Sequence, residues 1–309
     1  MNFVKKTLIA AAIAGLGSQV GASQFYINTA GTGVGPAAPN SSYDASVCAT
    51  CSGLKDELNI NYMSQTTITL GDASLDVGDA LVTVGGLNFG TANASVNDLN
   101  NYPTNNVSSF DPTTKSAKFR TDPADIIDTT DWGLSFSMNL VGKVAGLNGL
   151  EVTEVEYTGG TVEVYVIIDN PAFGDTGNLN NDLLAINIFD LTVTSSQFSN
   201  SSNFEVLGNV SFSGNEDPAF ADFFNIAGFS CGFGESFSDI AACMPPVEIS
   251  WLLDQNLAKV TAALQPDGTA LISGTHEGSV AFNVPVPAPL ALIGGALLGL
   301  ASMRRKQQA

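Results

Sequence analysis

Apolar and polar positions alternate through the middle of the chain with a period of two. Residues 66–71 (TTITLG) and 80–85 (ALVTVG) are short β-branched runs bounded by Gly and Asp, and 134–141 (LSFSMNLV) alternates as a half-buried strand does. Residues 150–157 (LEVTEVEY) and 161–168 (TVEVYVII) flank Thr158-Gly159-Gly160, which reads as a hairpin turn because Gly-Gly accepts positive φ. In that pairing Glu151, Glu154, Glu156 and Glu163 line an exposed acidic face. The pattern continues over 184–194 and 204–212. Near the end, 247–253, 257–264, 269–275 and 278–284 read as a meander, with turns at Pro266-Asp267-Gly268 and His276-Glu277-Gly278. Helical candidates are short: 52–58, 122–128 and 217–226. Neither a βαβ alternation nor a fixed-period repeat is present. The pattern predicts an all-β body, an antiparallel sandwich of jelly-roll type, over residues 23–283. A sub-boundary is expected within the polar, Pro-containing stretch 92–131.

The two ends depart from this pattern. Lys5-Lys6, the apolar run 7–17 (TLIAAAIAGLG) and the small residues Val20 and Ala22 form the three parts of a secretory signal, residues 1–22, with cleavage after Ala22 or after Ser23. Its apolar run is too short to span about 30 Å of hydrocarbon at 1.5 Å per residue. At the other end, residues 284–309 begin with Val284-Pro285-Val286-Pro287-Ala288-Pro289, an extended element that excludes helix. A Gly-punctuated apolar run (290–303, LALIGGALLGLASM) and Arg304-Arg305-Lys306 follow. The positive-inside rule keeps that basic cluster cytoplasmic. The run is short for a permanent span and suits a transient stop in the inner membrane.

This tail resembles the PEP-CTERM class of C-terminal sorting signals, in its Val-Pro-Leu-Pro-Ala variant. Val284, Pro285 and Pro287 match the processing motif, Val286 departs from it where the namesake motif has Glu, and Arg304 and Arg305 match the basic end. The resemblance covers only about residues 284–306. It implies an exported substrate of an exosortase-type membrane protease-transpeptidase in a Gram-negative bacterium, cleaved near the Pro-rich segment. The destination it implies is the cell surface or the extracellular biofilm matrix. It implies no activity for the body.

Composition sharpens the picture. The 309 residues carry 30 acidic and 11 basic side chains, a formal net charge of −19. Five of the cations lie in the two terminal signals, so the body holds six against all 30 acids, near −24. Such a body excludes nucleic acid, whose phosphates require clustered Lys and Arg. A hydrophobic content of 44% and 18 Phe exclude disorder. Four cysteines, Cys48, Cys51, Cys231 and Cys243, are expected to pair in an oxidising compartment. Local pairing is favoured, but three connectivities remain open.

Candidate chemistry is sparse. One histidine, His276, rules out a multi-histidine metal site. Gly228-Phe-Ser230-Cys-Gly232 matches the G-x-S-x-G pattern with Asp239 or Asp254 and His276 downstream, yet no parallel strand-to-helix context precedes it. Carboxylates cluster at Asp72, Asp76 and Asp79 and at Asp122, Asp125, Asp128 and Asp131. The loop 169–182 is rich in oxygen donors, and Asp169, Asp175 and Asp182 are the candidate calcium ligands. Trp251 is expected in the core, whereas Trp132 is read as loop-placed. The expected role is non-enzymatic: a structural or adhesive matrix protein. A calcium-dependent polysaccharide-binding module is the alternative, and a secreted hydrolase the distant third.

Overall fold

The computed structural model describes residues 23–32, 51, 54–86, 132–169, 183–200, 203–214, 216–229, 234–244, 247–256 and 260–284. Both terminal signals up to Ala22 and from Pro285, the stretch 92–131, the loop 170–182, Cys48, Cys231 and Ser230 lie outside them. The strands are β1 (Phe25–Ile27), β2 (Glu57–Thr69), β3 (Ala80–Gly86), β4 (Trp132–Asn148), β5 (Glu151–Asp169), β6 (Leu183–Asn200), β7 (Asn203–Ser211), β8 (Phe224–Ile226), β9 (Ser250–Asn256), β10 (Val260–Thr261), β11 (Ala263–Leu264) and β12 (Thr269–Asn283). One short helix, α1 (Phe237–Ala241), is capped by Ser236, whose side chain accepts the Asp239 N–H.

The all-β antiparallel class expected from the sequence is what the structure has. The main ladder runs β10-β5-β4-β3-β2-β12-β9-β7-β6, and β11 joins β12. Because β5 also pairs with β6, the ladder returns on itself and the sheet curls around one interior. Alternate positions fill that interior. Leu58, Ile60, Tyr62 and Ile68 on β2 face inward with Leu134, Phe136, Met138 and Leu140 on β4 and Val162, Val164 and Val166 on β5. Trp251 is 2% exposed, as its apolar strand led us to expect, and its indole N–H donates to Thr192 O. Beside the main sheet, the β1–β8 pair packs Phe25 and Phe224 against Phe189, Phe237 and Phe282, with ring centroids 5.0–6.2 Å apart. Edge-to-face pairs of this kind add to simple burial.

Several local expectations are corrected. Residues 150–157 and 161–168 are one strand, not a hairpin. Gly159 and Gly160 pair with Val141 and Leu140 at an irregularity of the β4–β5 ladder. Gly160 has φ +121°, and a Cβ there would meet Asn139 O at 2.3 Å, so the glycine serves close backbone approach. The hairpin lies instead at Asn148–Glu151, with Gly149 at φ +64°. Pro266-Asp267-Gly268 is a turn as expected, closed by Gln265 N–H to Thr269 O. His276-Glu277-Gly278 is not; it lies inside β12, paired with β2. Within 52–58, residues 57 and 58 already belong to β2, and 217–226 forms a single 3-10 turn (Pro218–Phe220) followed by β8. Trp132 is the first residue of β4, opposite Ile168, rather than a loop residue.

Candidate functional site

Three polar constellations stand out against the apolar core. The first is an interior row. Ser64 on β2 is 4% exposed, and its Oγ shares a hydrogen bond of 2.7 Å with His276 Nε2 on β12. The register places Gly274 and Gly85 directly opposite Ser64, and the absence of side chains there leaves room for the His276 ring to reach the hydroxyl. The His276 ring stacks on Tyr62 at 4.8 Å. Burial lowers the imidazole pKa, which favours the neutral ring that can take a hydroxyl proton. One register step away, Thr66 Oγ1, Thr83 Oγ1 and the Tyr157 hydroxyl form a chain of 2.7 and 2.8 Å. Burial raises the pKa of Tyr157, and raises that of Tyr62 together with the nearby Tyr157. These hydroxyls are neutral hydrogen-bonding groups that satisfy one another in the interior.

The second constellation lies on the opposite face of β4, β5 and β6. Glu163 on β5 stands directly across from Asp190 on β6. The Tyr165 hydroxyl donates to Glu163 Oε2 at 2.8 Å, and Ser137 Oγ donates to the same oxygen at 3.2 Å. Asn187 Nδ2 donates to Asp190 Oδ1 at 3.1 Å. Burial raises the Asp190 pKa, and the Glu163 and Glu216 charges add to it against the Asn187 and Ser213 hydrogen bonds. A cleft of about 420 Å³ lies nearby, lined by Ile188, Phe212, Pro218 and Ala242 with Glu216 and Ser238. The Glu216 carboxylate is already engaged, accepting the N–H groups of Ser213 and Gly214.

The third feature is a single cation. Lys55 is 2% exposed and exchanges two backbone hydrogen bonds with Phe25. In an antiparallel bridge, opposed side chains share a face, so Lys55 projects alongside Phe25. Among the described residues its buried Nζ finds no hydrogen-bond partner, and burial pushes its pKa down to about 8.

The sequence-derived candidates fall as follows. His276 is brought to Ser64; Ser230 lies outside the described residues. Asp72, Asp76 and Asp79 are used as turn acceptors: Ser74 N–H and Oγ donate to Asp72, Ser74 Oγ also donates to Asp76, and Gly71 N–H and Asp76 N–H donate to Asp79. The Ser74 bonds hold the Asp72 pKa down. Asp169 ends β5 opposite Leu183, which places the loop 170–182 at the β5–β6 connection; Asp175 and Asp182 lie outside the described residues. Among the described residues, no group of three His, Cys, Asp or Glu is placed to hold a metal ion. Cys51 and Cys243 are buried at 8% and 2% exposure, and neither is a free thiol. Among the described residues no helix is long and apolar enough to cross a membrane. Sequence reasoning missed Ser64, Glu163–Asp190 and Lys55. Ser64 carries no local signal, and cross-strand partners are set by register rather than by spacing along the chain. No family model, curated protein or solved structure matches this chain.

Proposed function

We propose that this protein is an exported structural or adhesive component of a Gram-negative extracellular matrix, sorted and processed through its C-terminal tail. The observation that carries this reading is the order of the tail: Val284-Pro285-Val286-Pro287, a 14-residue apolar run over 290–303 and Arg304-Arg305, in a chain that opens with an export signal. The partner is an exosortase-type processing enzyme, met during transient insertion in the inner membrane. The buried, non-thiol cysteines Cys51 and Cys243 fit a disulfide-stapled body made in an oxidising compartment. The jelly-roll-like sandwich remains our reading of how this curled antiparallel sheet is arranged. We assign the body no catalytic role.

A polysaccharide-binding role, assisted by calcium, is the second reading. The observation that favours it is the polar face of β4, β5 and β6, where Tyr165, Glu163, Asp190 and Asn187 present hydrogen-bonding groups beside an apolar cleft.

The test of the sorting reading is intact mass spectrometry of the protein recovered outside the cell from a host that carries the processing enzyme. The expected mass lacks the signal peptide and the residues beyond about Pro287. Secreted material that still contains Arg304 refutes the reading.

A further inference from the structure

The first and last described residues of the body meet. Ser23 donates its backbone N–H to Phe282 O at 2.8 Å, and Ser23 Oγ accepts the Val284 N–H at 3.0 Å. The contact joins residues 261 positions apart. It is anchored on both sides. On one, Gln24 O accepts the Ala227 N–H, and Phe25 packs edge-to-face on Phe282 at 5.4 Å. On the other, Val284 is 6% exposed and belongs to the core cluster that β12 completes. The expected signal-cleavage bond, Ala22–Ser23, and the bond that begins the Pro-rich segment, Val284–Pro285, each adjoin this pair.

The topology expected from the sorting reading is compatible with such an arrangement. The basic groups Lys5-Lys6 and Arg304-Arg305 are both held on the cytoplasmic side. On that reading the apolar segments they flank approach the bilayer from the same side. Here Ser23 and Val284 share one pole, and Pro285 restricts Val284 to extended conformations.

We propose that Ser23 is the first residue of the mature chain and is a positioning residue for the tail, its hydroxyl clasping Val284, the residue at which the tail begins. The clasp survives signal removal. Hydrolysis of the Ala22–Ser23 bond consumes one water and leaves a carboxylate on Ala22 and an α-amine on Ser23. That amine keeps protons to donate to Phe282 O, and Oγ is unchanged as an acceptor. Cleavage one residue later, after Ser23, removes both bonds. The role in processing rests on the sorting reading above; the clasp itself rests on the contact.

The experiment uses the full chain in a Gram-negative host that carries an exosortase-type enzyme, compared with Ser23→Ala and Ser23→Thr. Intact mass reads both termini, and hydrogen exchange reads the peptide containing Val284. The expected mature N-terminus is Ser23. In Ser23→Ala the Val284 amide exchanges roughly fivefold to tenfold faster, the loss of one hydrogen bond, and the tail-processed fraction falls several-fold. Ser23→Thr, which keeps the hydroxyl, restores both. A mature chain beginning at Gln24 overturns the proposal, as does a Ser23→Ala protein whose exchange and processing match wild type. A wild-type chain that begins at Ser23, protects Val284 and yet keeps its tail overturns the sorting reading and the processing role with it, while the clasp stands.

Discussion

Lysine side chains ordinarily reach water from most positions, because the charge costs several kcal/mol to bury without a partner. Lys55 does not reach it: the residue is 2% exposed and its Nζ has no acceptor among the described residues. The native state therefore disfavours the ammonium, and the pKa falls from 10.5 to about 8. The sign follows from proton counting. Below pH 8 both the folded and the unfolded chain carry the proton, and the burial penalty is present in full. Between about 8 and 10.5 the unfolded chain holds the proton and the folded chain does not, so stability rises with pH. The shift corresponds to about 3 kcal/mol at neutral pH. Lys55→Met is expected to stabilise the protein by about 2–3 kcal/mol at pH 7, with the gain shrinking towards zero by pH 10.5. Urea melts of both proteins at the two pH values check this; an equal gain at both, or a loss at pH 7, contradicts it. The penalty in the wild type is a local conflict of the kind that functional positions carry.

At the scale of elements, β5 shows what the pattern of residues can and cannot specify. Its alternation Val162, Val164, Val166 against Glu163 and Tyr165 was legible as a strand with one buried and one polar face, and that is its role. Its continuity was not legible. Gly159-Gly160 satisfies the backbone demands of a hairpin turn and equally those of a crowded ladder irregularity, and only the partner strand distinguishes them. Gly160→Ala places a Cβ 2.3 Å from Asn139 O at φ +121°, whereas Gly159→Ala meets only Val141 Cγ2 at 3.6 Å. Gly160→Ala is expected to destabilise by about 2–3 kcal/mol, a melting temperature lower by several degrees, and Gly159→Ala to stay within about 1 kcal/mol. Were Gly160 the tip of a turn, with open space for the Cβ, the clash would be absent and the two variants much closer. The true turn has Gly149-Leu150 at its centre, a Gly-first turn that the adjacent β-rich runs obscured. His276 misled in the same way: a polar residue before Glu-Gly reads as a turn, yet cross-strand contact with Ser64 and Tyr62 accommodates it inside β12. The candidate site was the least legible part. The Ser64–His276 and Glu163–Asp190 pairs join residues brought together only by register.

For the whole molecule, charge is the largest imbalance. A body near −24 repels itself when folded, and the unfolded chain relieves that repulsion by expanding. Any cation should therefore raise the melting temperature by screening, whether or not a specific site exists. Calcium binding has to be separated from this background. Asp169 closes β5 opposite Leu183, so a metal held by Asp169, Asp175 and Asp182 would pin the β5–β6 connection and stabilise the native state as RT ln(1 + [L]/Kd). Sodium chloride is expected to raise the melting temperature progressively. At matched ionic strength, millimolar calcium chloride is expected to raise it further by several degrees, and Asp169→Asn or Asp175→Asn to abolish the excess while leaving the sodium response intact. Magnesium at the same concentration serves as the control for divalent screening, because it demands stricter octahedral geometry than calcium does. Equal responses to calcium and magnesium in the wild type, unaltered in the two variants, would reduce the acidic loop to a solvated surface. The matrix role would then rest on the tail and on the body's attraction for counter-ions at large.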